Sequence, residues 1–258
     1  MGVTRKLSFL FSGLPGTGKT STIKGILNKS GRHAISINLN KVKTSRELQL
    51  LFRKRKFNNK EYSNNELCYI LEDFDAINDN KFLLSRSENH VESHKDESKS
   101  DILQLAKMFE PSKISNDDSL NLSDFLNILD GLEELNEKMI IFTTNHPEKI
   151  DPALIRPGRI DFKFEFKRMS KKSILDMIKA GFRISSDDLD HELSHNLNQK
   201  IDLLPDEILT PAEVQRICFG HIPLFEKTEE DTFENKRPYI LSCINEILEN
   251  ANRFSNFE

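Results

Sequence analysis

Eight residues set the terms for everything around them. Gly13 to Thr20 read GLPGTGKT and satisfy the spacing G-x-x-x-x-G-K-[ST]. The run LSFLFS (7–12) before them is apolar like a buried strand. TSTIKGILNK after them has helical spacing, with Gly31 where a helix C-terminus wants it. A strand passing into a helix through glycines 13, 16 and 18 can curl its backbone so that N–H groups point inward, toward the positive end of the next helix. That concavity suits phosphate. The candidate nucleotide-binding residues are therefore Gly13, Leu14, Pro15, Gly16, Thr17, Gly18, Lys19, Thr20 and Ser21. Lys19 would reach the β- and γ-phosphates, and the Thr20 hydroxyl would ligand Mg²⁺. A ligand-free glycine turn is the alternative, disfavoured because both flanks are right.

A second cluster narrows the chemistry. Ile70-Leu71-Glu72-Asp73-Phe74-Asp75 closes the apolar run LCYIL, at a strand end where a parallel sheet delivers functional residues. One carboxylate there can hold a metal through water, and a neighbour can orient or deprotonate attacking water. Merely solvated acids are the competing explanation, weakened by the loop upstream.

Along the chain, HAISINL (33–39) alternates as a strand, and Thr44 to Glu47 fits a capping box opening the helix ELQLLFRKR. Ser123 is expected to cap the helix DFLNILDGL. KMIIFTTN (138–145) reads as a buried strand, and FKFEF (162–166) as an edge strand. Residues 85–101 hold a single apolar residue, Val91, which predicts a mobile insertion over about 85–119, with DILQLAKMF as a brief helix inside it. From Met169 onward four segments carry apolar stripes at helical spacing. Strands alternating with helices and then helices alone predict an α/β parallel-sheet domain over 1–168 and a small all-helical domain over 169–258.

Composition excludes several classes. No stretch approaches the roughly 20 apolar residues of a membrane helix. Cys68, Cys218 and Cys243 are far apart in sequence without CxxC spacing, which argues for an intracellular, reducing compartment and against a disulfide framework. A formal charge of −4 makes the whole chain a poor nucleic-acid binder.

With these motifs in place, the chain resembles the AAA family of ATPases, and within it the Bcs-type group, relatives of the mitochondrial Rieske-protein translocase. GLPGTGKT is similar to the Walker A loop, and ILEDFDAI to Walker B, with Glu72-Asp73 in the swapped order of that group. FLLSR (82–86) is similar to the group's following segment. FLNILDGL with residues 140–161 is similar to the second region of homology. The resemblance implies a phosphate-loop NTPase sheet with a helical lid, ATP and Mg²⁺ as cofactors, and ATP hydrolysis coupled to protein remodelling or translocation in a homo-oligomeric ring. It implies Thr20 and Glu72 at the metal, Asp73 and Asn145 at the water, and Arg159 as an arginine finger acting in trans. Phe162 stands where many relatives have a second arginine, and Arg156 is structural on this reading. Whether Glu72 or Asp73 positions the water is left open, because Asp is one methylene shorter than the usual Glu. Thr210-Pro211-Ala212-Glu213 resembles the start of the sensor-2 helix without its arginine, so it is expected to pack near the nucleotide rather than grip phosphate. NLNKVKTSRE (38–47) lacks the aromatic pore residue of threading unfoldases, which implies a folded or bulky client.

Two motifs point elsewhere. HELSH (191–195) matches H-E-x-x-H, but Leu189, Leu193 and Leu197 form the apolar stripe, which leaves its histidines as exposed helix residues rather than zinc ligands. Arg53-Lys54-Arg55-Lys56, with Lys41, Lys43 and Lys60, suits nucleic acid or a localisation signal, and suits equally a solvated helix C-terminus; nucleic acid is not the expected partner. The family pattern places an anchor, a targeting segment and a further domain ahead of the first strand, so a short relative and a piece of a longer chain both stay open. The alternative function is a slow-turnover ATP-binding scaffold or nucleic-acid-associated switch.

Overall fold

A computed structural model describes residues 6–76, 120, 122–131, 137–184, 191–221 and 233–255. The insertion expected over 85–119, its brief helix and FLLSR lie outside these residues. Contacts divide the chain into two compact units: Met1–Ser12 with Ile23–Phe164, and Gly13–Thr22 with Glu165–Glu258.

The first unit is built on a five-stranded parallel sheet in the order β2-β5-β6-β1-β7. The strands are β1 (Leu7–Gly13), β2 (His33–Ser36), β5 (Leu67–Leu71), β6 (Met139–Thr144) and β7 (Phe162–Phe166). β5 and β6 are buried at every residue, as expected of central strands with both faces covered. Register pairs Leu7 with Met139 and Ser12 with Thr144, while Cys68 also pairs with Met139. The carboxyl ends of β1, β5 and β6 therefore share one edge of the sheet. β7 takes the outer position that its alternation predicted, with Phe162 and Phe164 exposed.

The helix α1 (Lys19–Ser30) follows β1, and α2 (Ser45–Arg53) and α3 (Leu122–Asp130) pack in the core of this sheet. One core joins Leu48 and Phe52 of α2, Phe125 and Leu129 of α3, Tyr69 of β5 and Phe142 of β6. Gly31, at φ +67°, ends α1. Thr44 Oγ1 accepts the Glu47 N–H at 3.1 Å, forming the expected cap, although Glu47 reaches back to the Lys43 N–H rather than that of Thr44.

Three local readings are corrected. α3 starts at Leu122, so Ser123 lies in its first turn rather than at its cap. β2 stops at Ser36, because Asn38 caps a 3₁₀ turn over Leu39–Lys41 with its side chain. Only the start of the basic block is a helix end: α2 stops at Arg53, with Lys54 as its C-cap. Lys54 is already extended, and the chain enters a hairpin of β3 (Lys56–Phe57) and β4 (Lys60–Glu61). Its two-residue turn, Asn58-Asn59, has φ of +49° and +62°, the pair of positive angles that a type I′ turn requires and Asn tolerates.

In the second unit α4 (Lys171–Phe182), α5 (His191–Asp202), α6 (Pro211–His221) and α7 (Phe233–Ser255) enclose a separate apolar core. Ser170 caps α4 at its start, and Arg183 closes it in the left-handed region, at φ +54°. Leu193 and Leu197 are buried along α5 and His195 is exposed, while Leu189 and the His191 side chain lie outside the described ones. Cys218 of α6 and Cys243 of α7, distant in sequence, meet in this core with sulfurs 3.7 Å apart. All three cysteines are free thiols.

Candidate functional site

The loop after β1 is shaped by two close approaches. At Gly13, φ is +145° and a Cβ would lie 2.1 Å from the Phe166 carbonyl oxygen, so no side chain fits. At Gly16, φ is +79°, and its carbonyl accepts the Ala212 N–H at 3.1 Å. The Thr210–Glu213 segment thus caps α6 and seats that helix start on the loop. Thr210 Oγ1 accepts the Glu213 N–H, and the Glu213 carboxylate returns to the Thr210 N–H at 2.7 Å. Thr17 is buried, with its hydroxyl on the Leu14 carbonyl at 2.7 Å.

Lys19 is 8% exposed, and its ammonium donates to the carbonyls of Gly13 at 2.7 Å and Leu14 at 3.0 Å. A buried cation in a pre-turned backbone is a fixed positive centre, and these carbonyls hold it at the loop itself. Leu14, Pro15, Gly16, Thr20 and Ser21 are exposed along the loop. The donor set fits a polyphosphate with Mg²⁺: a held ammonium, a glycine-turned backbone at a helix N-terminus, and an accessible hydroxyl on Thr20.

The acidic cluster is built in the first unit from two neighbouring strand ends. Asp73 sits at φ +47°, a region that Asp tolerates better than most residues, and its N–H donates to Thr143 Oγ1 at 3.0 Å. Asn145, one residue beyond β6, donates from Nδ2 to Asp73 Oδ1 at 3.4 Å. Glu72 and Asp73 are exposed. So the structure brings together, just past the ends of β5 and β6, the two residues that the resemblance assigns to water, with β6 lying between β5 and β1.

Sequence reasoning gave no role to the residues that hold this pair. Asp75 Oδ1 accepts from Thr144 Oγ1 at 2.7 Å and from the Asn145 N–H at 3.1 Å. Thr144 Oγ1 in turn accepts the His146 N–H at 2.9 Å. Thr143 and Thr144 are buried hydroxyls at the end of an otherwise apolar strand, and that polar ending is the signal that was available.

Arg159 does not meet the acids. Its guanidinium binds the Asp130 carboxylate through two parallel bonds, Nε at 2.8 Å and Nη2 at 2.6 Å, while Nη1 donates to the Ala153 carbonyl at 2.7 Å. The hydrogen bond from Arg159 holds the Asp130 carboxyl below the usual carboxylate range, and the same bond raises the guanidinium. Asp161 anchors the segment: it accepts from Ser8 Oγ at 2.6 Å and from the Gly158 N–H at 3.0 Å. Arg156 is exposed.

The comparisons with known proteins agree with this layout. Residues 9–168 match the family model described as "ATPase family associated with various cellular activities (AAA)". Over 217 residues the chain is 29% identical to AAA-ATPase At5g40000 of Arabidopsis thaliana, covering 83% of this chain and 40% of that protein. AAA-ATPase At4g30250 from the same plant is 28% identical over 214 residues, with 82% and 38% covered. The chain thus spans well under half of these relatives. L572 of Acanthamoeba polyphaga mimivirus, a AAA family ATPase by name, is 27% identical over 199 residues, covering 77% of this chain and 93% of that protein.

Proposed function

The chain belongs to the AAA family of ATPases, and from that premise we propose that it hydrolyses ATP in a ring of identical subunits and uses the cycle to remodel or move a protein client. Family membership itself carries nucleotide binding and ATP hydrolysis; the ring, the client, the Bcs-type affiliation and the residue roles are our reading. In it, Gly13 to Ser21 hold the triphosphate, with Lys19 exchanging its loop carbonyls for phosphate oxygens. Thr20 and Glu72 hold Mg²⁺, which when bound offsets charge on the phosphoryl oxygens. Asp73 takes the proton of the attacking water and Asn145 orients that water. Residues 169–258 serve as the lid.

The observation that carries the reading is the contact between Asn145 Nδ2 and Asp73 Oδ1, on a scaffold that fixes both backbones. A base and an orienting amide one hydrogen bond apart are what water activation needs. Arg159 is the trans finger in this reading and must leave Asp130 to act. Its grip within its own chain supports the slower, switch-like alternative, in which turnover waits on that release.

The test is ATP hydrolysis by wild type, Asp73→Asn, Lys19→Ala and Arg159→Ala, together with mass in solution with and without ATP. Each variant alone should lose at least tenfold in kcat. Mixed Lys19→Ala and Arg159→Ala subunits should regain activity, since some interfaces then pair an intact loop with an intact finger. Absence of any recovery in a mixture that assembles would remove the trans role, and unchanged activity in Asp73→Asn would remove the base.

A further inference from the structure

None of the residues assigned to the nucleotide or its hydrolysis lies in the β3–β4 hairpin. The end of α2 and this hairpin together carry Arg53, Lys54, Arg55, Lys56 and Lys60, five cations within eight residues of a chain whose formal charge is −4. All five are exposed. A helix macrodipole accounts for Arg53 in the last turn and for Lys54 at the C-cap, but not for Arg55, Lys56 and Lys60, which lie beyond the helix end. Nor do Lys41 and Lys43 belong to the patch: they follow β2 at its carboxyl end, and the full length of α2 separates them from the hairpin. What remains is a compact basic projection leading into the amino end of β5.

Lys54, Lys60 and Arg55 have weak local partners. Lys54 Nζ lies 5.1 Å from the Phe57 ring centre and Lys60 Nζ 4.8 Å from that of Tyr62. Arg55 meets Glu61 at 3.5 Å, with side chains 53% and 69% exposed, the kind of surface pair that exchanges readily for another anion. Glu66, the other carboxylate of the segment, is occupied by Ser63, from whose hydroxyl and N–H it accepts. The rings act as posts. Phe57 and Tyr62 are half-buried and packed on the core of the first unit, so they fix the hairpin and prop its lysines outward.

We propose that this hairpin is a docking surface for the phosphodiester backbone of nucleic acid, without base selectivity. Arg and Lys interspersed on one short projection match a row of singly charged phosphates. Base reading is not expected, because both rings are committed to the core and are not free to stack. A membrane surface fits less well: the tip is Asn58-Asn59, and an interfacial element places apolar residues where it enters lipid.

The test is fluorescence anisotropy of a labelled 20-nucleotide oligo(dT), single-stranded and as its duplex with oligo(dA), added to the full chain between 50 and 200 mM salt. Wild type should bind with a log–log salt slope of about −3 for the single strand, at roughly 0.7 per phosphate neutralised, and with no preference between oligo(dT) and a mixed sequence. Lys54→Gln, Lys56→Gln and Lys60→Gln together should shallow that slope by about 2 and weaken binding tenfold or more at 50 mM salt. Their ATP hydrolysis should be unchanged, so a failure of the nucleotide reading would be seen separately. Three results overturn the proposal: no binding at 50 mM salt, displacement of the oligonucleotide by ATP with Mg²⁺ (which would put it on the loop), or capture by phosphatidylserine vesicles in place of DNA. Unaltered affinity in the triple variant would do the same.

Discussion

Asp75 offers the sharpest test of how the water-binding pair is held. Its Oδ1 accepts two hydrogen bonds, from the buried Thr144 hydroxyl at 2.7 Å and from the Asn145 N–H at 3.1 Å. Hydrogen bonds to a charged partner contribute about 1.5–3 kcal/mol each, and the half-exposed position of Asp75 puts both near the lower end. Asp75→Ala should therefore cost the β6 terminus about 2–4 kcal/mol of local stability, and Asp75→Asn, which keeps an uncharged acceptor in place, about half of that. Local opening converts at about 1.4 kcal/mol per power of ten, so amide exchange across residues 140–146 should accelerate about thirty- to seven-hundredfold in Asp75→Ala, measured by mass spectrometry. Because Asn145 then loses its backbone anchor, kcat should fall on the order of 10²-fold, with Asp75→Asn in between. If exchange and kcat both stay within about threefold of wild type in Asp75→Ala, the holding role is wrong. If only kcat falls, Asp75 acts on the chemistry directly rather than through Asn145.

Two further outcomes follow from burial and backbone shape. Burial pushes both Cys68 and Tyr69 up to about 12, above their unfolded values near 9 and 10, so the folded chain retains these protons longer than the unfolded one. The stability they contribute is complete below about pH 9 and is lost as pH rises toward 12; urea titrations of the first unit should show that decline, and phenolate absorbance should show one tyrosine ionising only near pH 12. Gly13→Ala places a Cβ 2.1 Å from the Phe166 oxygen at a φ of +145°, which should cost about 2–4 kcal/mol and abolish ATP binding in calorimetry, whereas Gly25→Ala, in open space on α1, should leave both intact.

What could be read from the sequence and what could not divide along physical lines. The loop, the central strands and the helical second half were legible because each is a local pattern: glycine spacing, uninterrupted apolar runs, a 3.6-residue stripe. β5 and β6 are buried at every position, as uniform runs require, and β7 lies outermost as its alternation requires. The basic block was only half legible, for the opposite reason. A run of Lys and Arg suits a helix end well, and the deciding information sat in Asn58-Asn59, whose two left-handed residues reverse the chain. The site divides in the same way. Asp73 and Asn145 stand out through the motifs they sit in, but their supports are contacts across about seventy residues: Asp73 to Thr143, and Asp75 to Thr144 and Asn145. Nothing in ILEDFDAI separates an acid that works on water from one that works on a threonine. The distinction arises only when β5 and β6 pair in register and bring two buried hydroxyls to the strand end, where each must find a partner. Arg159 follows the same rule. Its residue type suits a finger, yet its geometry depends on Asp130, a residue of another element that spacing alone does not connect to it. For this chain, then, a motif indicates which atoms are available for chemistry, and the sheet register decides which of them are occupied in holding the others still.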